Sequence, residues 1–183
     1  MKKFIEIHDN IVPQYIVNSI ENYLLIDSQI PLYYKNNLSY HPTSPLYKFS
    51  PGVGNSFLME NNQHTEFHGL FSSVLYSLCF FKNILLKKYI QGRCYVDFPS
   101  PNPGPDLPPH VDLVFPHLVC LYYINDSDGD TILFKDDKKT EIQRISPKKG
   151  RLILFDGSIP HCGSTSKTNT RAVLNFNFLG EFN

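Results

Sequence analysis

Residues 146–161 read Ser-Pro-Lys-Lys-Gly-Arg-Leu-Ile-Leu-Phe-Asp-Gly-Ser-Ile-Pro-His. Residues 146–150 carry turn chemistry, 151–155 form an apolar strand, 156–160 a second loop, and His161 opens the next segment. Upstream, residues 118–124 are another hydrophobic run. Downstream, Arg-Ala-Val-Leu-Asn-Phe-Asn-Phe at 171–178 alternates with period two, as a strand does. The same reading places short strands at about 93–98, 118–125, 131–135, 140–145, 151–155, 160–164 and 171–179. So many short strands at close spacing predict a sandwich or barrel.

The front of the chain reads differently. Pro13 can open a helix running to about Ile26, with Ile16, Ile20, Tyr23 and Leu24 on one face. Residues 28–63, rich in Pro, Asn, Ser and Tyr, read as loops with one short strand at most. Residues 65–90 form the strongest helical pattern. There Phe67, Phe71, Val74, Leu75, Leu78, Phe81 and Leu85 recur at three- and four-residue steps, and Gly92 stands where a helix would end. The fold expected is α+β with a mainly β core, in a single domain 1–183. Residues 1–92 supply helical support and loops, and 93–179 supply the core.

Composition narrows the function. A chain of 183 residues with 17 basic and 17 acidic side chains has no net charge, so no broad footprint for nucleic acid is visible. Cys79, Cys94, Cys120 and Cys162 lack Cys-x-x-Cys spacing. Cys79 falls in an apolar helical pattern and Cys120 in a strand pattern, so they read as buried free thiols. The longest apolar region, around 67–90, is interrupted by Ser72, Ser73, Ser77, Lys82, Asn83 and Lys87, which excludes a membrane span there. With no leader pattern after Met1-Lys2-Lys3, a cytoplasmic location is expected.

The chemistry concentrates in the back half. His110 and Asp112 sit at i and i+2, on the same side of an extended segment, where both can reach one ion. His161 is the candidate third ligand. Two imidazoles and one carboxylate suit iron(II) and leave coordination positions open. Arg171 adds a planar fork for bidentate grip on a carboxylate. A lone His-x-Asp is weak evidence, and its force here comes from the ordered strands and loops around it. His117, after Pro116, reads as a loop histidine. His64 and His68, at i and i+4, lack an acidic partner and read as solvated. The stretch 99–109, with six prolines, is stiff and borders the expected site mouth. Tyr33, Tyr34, Tyr40, Tyr47 and Phe49, with Gly52 and Gly54, suit either a lid or an ordinary packed loop.

His110-Val111-Asp112, Leu121-Tyr122-Tyr123-Ile124-Asn125, Gly129-Asp130-Thr131, Pro147-Lys148-Lys149-Gly150-Arg151-Leu152, His161 and Arg171 stand in order across 93–179. Together they resemble the double-stranded β-helix (jelly-roll, cupin-like) core of the iron(II)- and 2-oxoglutarate-dependent oxygenases, within it the prolyl-hydroxylase-like group. The resemblance implies that His110, Asp112 and His161 ligate iron(II). It implies that Arg171 pairs with the distal carboxylate of 2-oxoglutarate, helped by the hydroxyl of Tyr123. Tyr95 would line the cosubstrate pocket near the metal, and Asn175 would adjoin the same pocket. O2 is the second cosubstrate, and ascorbate a candidate accessory. Arg171 stands where the collagen branch usually has lysine. Asn177 replaces the second arginine of the alkylated-base-repair branch, and Asp112 argues against halogenation. The activity implied is hydroxylation of an unactivated C–H, first of a prolyl residue in a peptide or protein. A free amino acid or small metabolite is the alternative substrate, and a non-catalytic cupin-type binding module the alternative from outside enzymology. Oligomeric state is not readable from the sequence.

Overall fold

A computed structural model describes residues 3–35, 52–59, 62–63, 66–100, 106 and 108–183. Tyr40, Tyr47, Phe49, His64 and most of the proline-rich stretch lie outside these residues. In chain order the elements are β1 (Ile5–His8), α1 (Gln14–Glu21) continued by a π-helical turn (Asn22–Ile26), β2 (Tyr33–Lys35), β3 (Gly52–Met59), β4 (Asn62–Gln63) and α2 (His68–Phe81). Then come β5 (Ile84–Asp97), β6 (Leu118–Tyr123), β7 (Thr131–Phe134), β8 (Glu141–Ile145), β9 (Leu152–Asp156), β10 (His161–Gly163) and β11 (Arg171–Phe182). Eight strands make the larger sheet, in the order β1-β9-β6-β11-β5-β3-β2, with β4 on β3. The smaller sheet runs β10-β7-β8. All the pairings within strands are antiparallel.

Strand periodicity divides the larger sheet into two faces. Cys94, Val96, Cys120, Tyr122, Leu152, Leu154, Leu174 and Phe176 face α1 and α2, which contribute Ile16, Val17, Ile20, Phe71, Val74, Leu75 and Leu78. On the other face Val119, Leu121, Tyr123, Ile153, Phe155 and Val173 pack against Leu133 and Ile145 of the smaller sheet. A strand buried on both faces has no polar alternation, which is why 118–124 and 152–155 read as continuous apolar runs. The turn before β9 closes through Gly150 at φ +80°. Its N–H donates to the Tyr123 carbonyl at 3.0 Å, and only glycine takes that backbone conformation freely.

Six of the seven strands expected in the back half are present within a few residues of their expected ends, and the one expected at 93–98 is the end of a strand that begins nine residues earlier, at Ile84. The front half corrects the sequence reading. Besides its helices and loops it supplies β1 and β3, which are working members of the larger sheet. Ile16, Ile20 and Leu24 are buried as expected, whereas Tyr23 is partly exposed. The helix expected to run to Ile90 stops at Phe81. Asn83 takes the left-handed conformation at φ 52°, and its N–H donates to the Phe80 carbonyl at 3.3 Å. Asparagine is the residue after glycine that best tolerates this helix-ending turn. Residues 84–97 then form one long strand. Gly92 therefore caps nothing. It lies mid-strand, where a Cβ would run into the Phe57 ring and the Tyr89 hydroxyl. His68 is buried rather than solvated, sharing a 3.1 Å hydrogen bond with Ser72. All four cysteines are free and buried. Among the described residues no helix is long and apolar enough to cross a membrane.

Candidate metal and cosubstrate site

His110, Asp112 and His161 converge between the two sheets. Their ligand atoms all lie within 4.8 Å of one another. His110 Nε2 is 3.8 Å from Asp112 Oδ1, and His161 Nε2 is 3.9 Å from Asp112 Oδ2. His161 begins β10, and His110 joins it in an isolated antiparallel bridge. The His110 N–H donates to the His161 carbonyl at 3.0 Å, and the His161 N–H to the His110 carbonyl at 2.8 Å. Each ring turns Nδ1 to a backbone carbonyl, His161 to Ile159 at 3.1 Å and His110 to Pro108 at 3.4 Å. A proton held at Nδ1 leaves Nε2 as the lone-pair donor, which is what a metal requires of a histidine. Burial, then the neighbouring His161, pushes the His110 imidazole down to about 4, so it is neutral and ready to ligate near neutral pH. Burial acts to raise the Asp112 carboxyl, but the Arg93 guanidinium beside it is the leading opposing cause and the group is held well below the usual carboxylate range. The donor set and its spacing fit an iron(II) ion.

Arg93, which the sequence reading did not single out, donates from Nη2 to Asp112 Oδ1 at 3.1 Å. The Asn175 amide donates to Asp112 Oδ2 at 3.0 Å, and the Asn177 amide to Asn175 Oδ1 at 3.3 Å. Asn175 thus stands against the carboxylate of the candidate metal cluster. Arg93 also lies over the Tyr95 ring, 5.5 Å from its centroid. Tyr95 is half-buried on this face, and burial pushes its hydroxyl up to about 12.

Arg171 is buried at the start of β11, two inward positions from Asn175, or about 13 Å along the strand. Its Nε donates to the Gly129 carbonyl at 2.8 Å, Nη2 to Thr131 Oγ1 at 2.9 Å and Nη1 to Asp97 Oδ2 at 3.2 Å. Gly129 has to be glycine, since a Cβ there would come within 2.9 Å of Arg171 Cδ. The Tyr123 hydroxyl donates to Thr131 Oγ1 at 2.7 Å, and its ring lies under the guanidinium at 5.9 Å. Burial pushes that hydroxyl up to about 12, so it remains a proton donor. His117 joins none of this. Its Nδ1 is 2.8 Å from the Phe115 carbonyl.

Between the two sheets, then, a two-histidine, one-carboxylate cluster lies at one place and a guanidinium anchored on β11 at another. Residues 91–179 match the 2OG-Fe(II) oxygenase superfamily. The β-rich back half of the chain carries the signature of that superfamily. Its cofactor is iron(II), and its cosubstrates are 2-oxoglutarate and O2. No curated protein matches the sequence. Solved structures match this chain over nearly its full length. A Pseudomonas putida prolyl-4-hydroxylase is 14% identical, with a TM-score of 0.62 over 97% of this chain and 93% of that one. A Trichoplax adhaerens prolyl hydroxylase, solved with a hypoxia-inducible-factor peptide, is 13% identical with a TM-score of 0.63, covering 95% and 83%. The viral collagen prolyl hydroxylase of Paramecium bursaria Chlorella virus-1 is 13% identical with a TM-score of 0.57, covering 96% and 95%. At these identities the likeness establishes the fold.

Arg93, Asp97 and Thr131 are the members of the site that sequence reasoning missed. Gln91, Arg93, Tyr95 and Asp97 are alternate residues of β5, so the period-two rule that puts Tyr95 inside puts the other three there too.

Proposed function

We propose that the chain is a single-domain dioxygenase, 1–183, built on a double-stranded β-helix, that hydroxylates an unactivated C–H of a prolyl residue in a peptide or protein. In this reading His110, Asp112 and His161 hold iron(II), and Arg171 with Tyr123 holds the far carboxylate of 2-oxoglutarate. Tyr95 lines the same cavity, and Asn175 steadies Asp112. The observation that carries it is the convergence of two Nε2 atoms and one carboxylate between the two sheets, where Arg171 is also buried. When bound, iron(II) and 2-oxoglutarate supply an O2-dependent oxidation coupled to breakdown of the 2-oxo acid. The protein supplies the rest. His110 and His161 present unprotonated Nε2 atoms, and Arg93 keeps Asp112 ionised. Arg171 offsets the cost of desolvating a carboxylate.

The prolyl substrate is supported by the likeness to prolyl hydroxylases and by the exposed apolar side chains Phe98, Val114 and Phe115, close in sequence to Asp97 and Asp112. One observation favours a free amino acid or small metabolite instead. Arg93 sets an extra cation beside the metal cluster, where a substrate carboxylate would find it. The family match speaks against a non-catalytic cupin-type module.

Succinate formation from 2-oxoglutarate, with iron(II), ascorbate and air, tests the assignment. It is measured for the wild type, His110→Ala and Arg171→Ala, with proline-rich peptides or free amino acids added. Turnover in the wild type that is lost in both variants is the expected result, with stimulation by a peptide. Stimulation by an amino acid alone would shift the substrate to the second class. No turnover and no 2-oxoglutarate binding would overturn the reading.

A further inference from the structure

We propose that Asp97 is a built-in competitor for the Arg171 guanidinium that holds down the pocket's affinity for a dicarboxylate. The inference rests on the reading of Arg171 as the anchor for the distal carboxylate of 2-oxoglutarate. Arginine has five N–H donors. In Arg171, Nε is taken by the Gly129 carbonyl and one Nη2 proton by the Thr131 hydroxyl. Both acceptors are neutral, and they come from the loop two residues before β7 and from β7 itself. They fix where the guanidinium points without any help from Asp97. One Nη1 proton goes to Asp97 at 3.2 Å. Two N–H donors remain, one on each terminal nitrogen, and that is the fork a carboxylate engages.

What Asp97 adds is charge rather than orientation. It stands directly opposite Arg171 in the β5–β11 register, so it cannot be far from the guanidinium while the strands are paired. Its side chain is 27% exposed against 8% for Arg171, so the carboxylate lies nearer solvent than the cation it neutralises. The other arginine of the site, Arg93, stands at the metal cluster, opposite Asn175 in the register, and adds no second cation at the Arg171 end. An incoming carboxylate therefore meets a compensated pair. It must share the guanidinium with an anion a few ångströms away, where like charges still repel appreciably. The consequence is a half-saturation concentration for 2-oxoglutarate set higher than the Arg171 pocket alone would give. Discrimination between dicarboxylate and monocarboxylate 2-oxo acids is narrowed with it.

The test is calorimetric binding to the full chain under anaerobic conditions, with Mn(II) in place of iron. The probes are 2-oxoglutarate and 2-oxobutyrate, which lacks the distal carboxylate. Asp97→Asn keeps the shape and an acceptor for Nη1 but removes the charge. It is expected to bind 2-oxoglutarate about three- to tenfold more tightly than the wild type, the scale of one nearby charge at protein-like dielectric. Its affinity for 2-oxobutyrate should not change. Asp97→Ser, also uncharged, should shift affinity in the same direction and replaces the first variant if that one fails to melt cooperatively. Unchanged or weaker 2-oxoglutarate binding overturns the proposal and shows Asp97 to be a support for Arg171. An equal gain for both probes overturns it too, since the effect would not run through the distal carboxylate. Arg171→Ala separates the underlying reading. Loss of 2-oxoglutarate affinity in that variant upholds the anchor whatever Asp97 does. Wild-type affinity there removes the anchor, and the competitor with it.

Discussion

The two faces of the larger sheet are made by the same strands and differ in kind. On β5 and β11 the inward set is Gln91, Arg93, Tyr95, Asp97, Arg171, Val173, Asn175 and Asn177, whereas Cys94, Val96, Ala172, Leu174 and Phe176 face the helices. One face carries charge pairs and hydrogen-bonded amides, and the other is almost purely apolar. Period-two alternation lets a single strand be a binding surface and a core wall, so the two roles should separate residue by residue.

Substitutions test that separation. On the inward face, His110→Ala removes one of three donors, and metal affinity should fall by more than roughly a hundredfold, beyond the cost of losing a supporting partner. Titration with Mn(II) measures it, and the melting temperature of the metal-free protein should hardly move. On the helix-facing side, Phe176→Ala empties a fully buried site between Phe57 and Tyr89. It should cost about 3–5 kcal/mol in denaturant unfolding while leaving 2-oxoglutarate affinity near wild type. A large loss of ligand affinity in that variant would break the division of labour. Arg93→Gln keeps a donor near Asp112 but removes the charge, and metal affinity should drop by about tenfold. Gly92→Ala drives a methyl at Phe57 and should destabilise by about 1–3 kcal/mol.

The smallest effect lies away from both faces. Arg151 hydrogen-bonds Asp9 through Nε at 2.8 Å and Nη2 at 3.1 Å, and holds that carboxyl below its usual range. A carboxyl depressed by folding contributes stability above its unfolded pKa and loses it as pH falls through the folded value. Asp9→Asn should therefore flatten the decline in stability below about pH 4, with a difference at neutral pH of at most about 1 kcal/mol.

The back half was legible because its signals are local. Turn residues bracket each strand, and the His-x-Asp, His161 and Arg171 positions follow from motif order. The front half was not, because β1 and β3 gain their identity from partners far along the chain: β1 from β9, and β3 from β5. The 65–90 segment misled for another reason. Apolar residues at three- and four-residue steps persist past Phe81, and the break rests on one left-handed asparagine, with no proline or glycine to announce it. Asn175 shows the limit of transfer by position. Its inward direction follows from the alternation, but its partner depends on how close the loop bearing Asp112 approaches β11.

The paired backbone hydrogen bonds between His110 and His161 bear on how the ion comes and goes. They clip the loop carrying two of the candidate ligands to the strand carrying the third, using peptide groups alone. The distance between the imidazoles is then a property of the polypeptide, and the ion is a tenant in a furnished room. A chelator should strip the metal without unfolding the chain, and repeated cycles of removal and reloading should return the same binding capacity. A protein of this design can sit empty while iron is scarce and resume work once it is supplied, with no need to be made again.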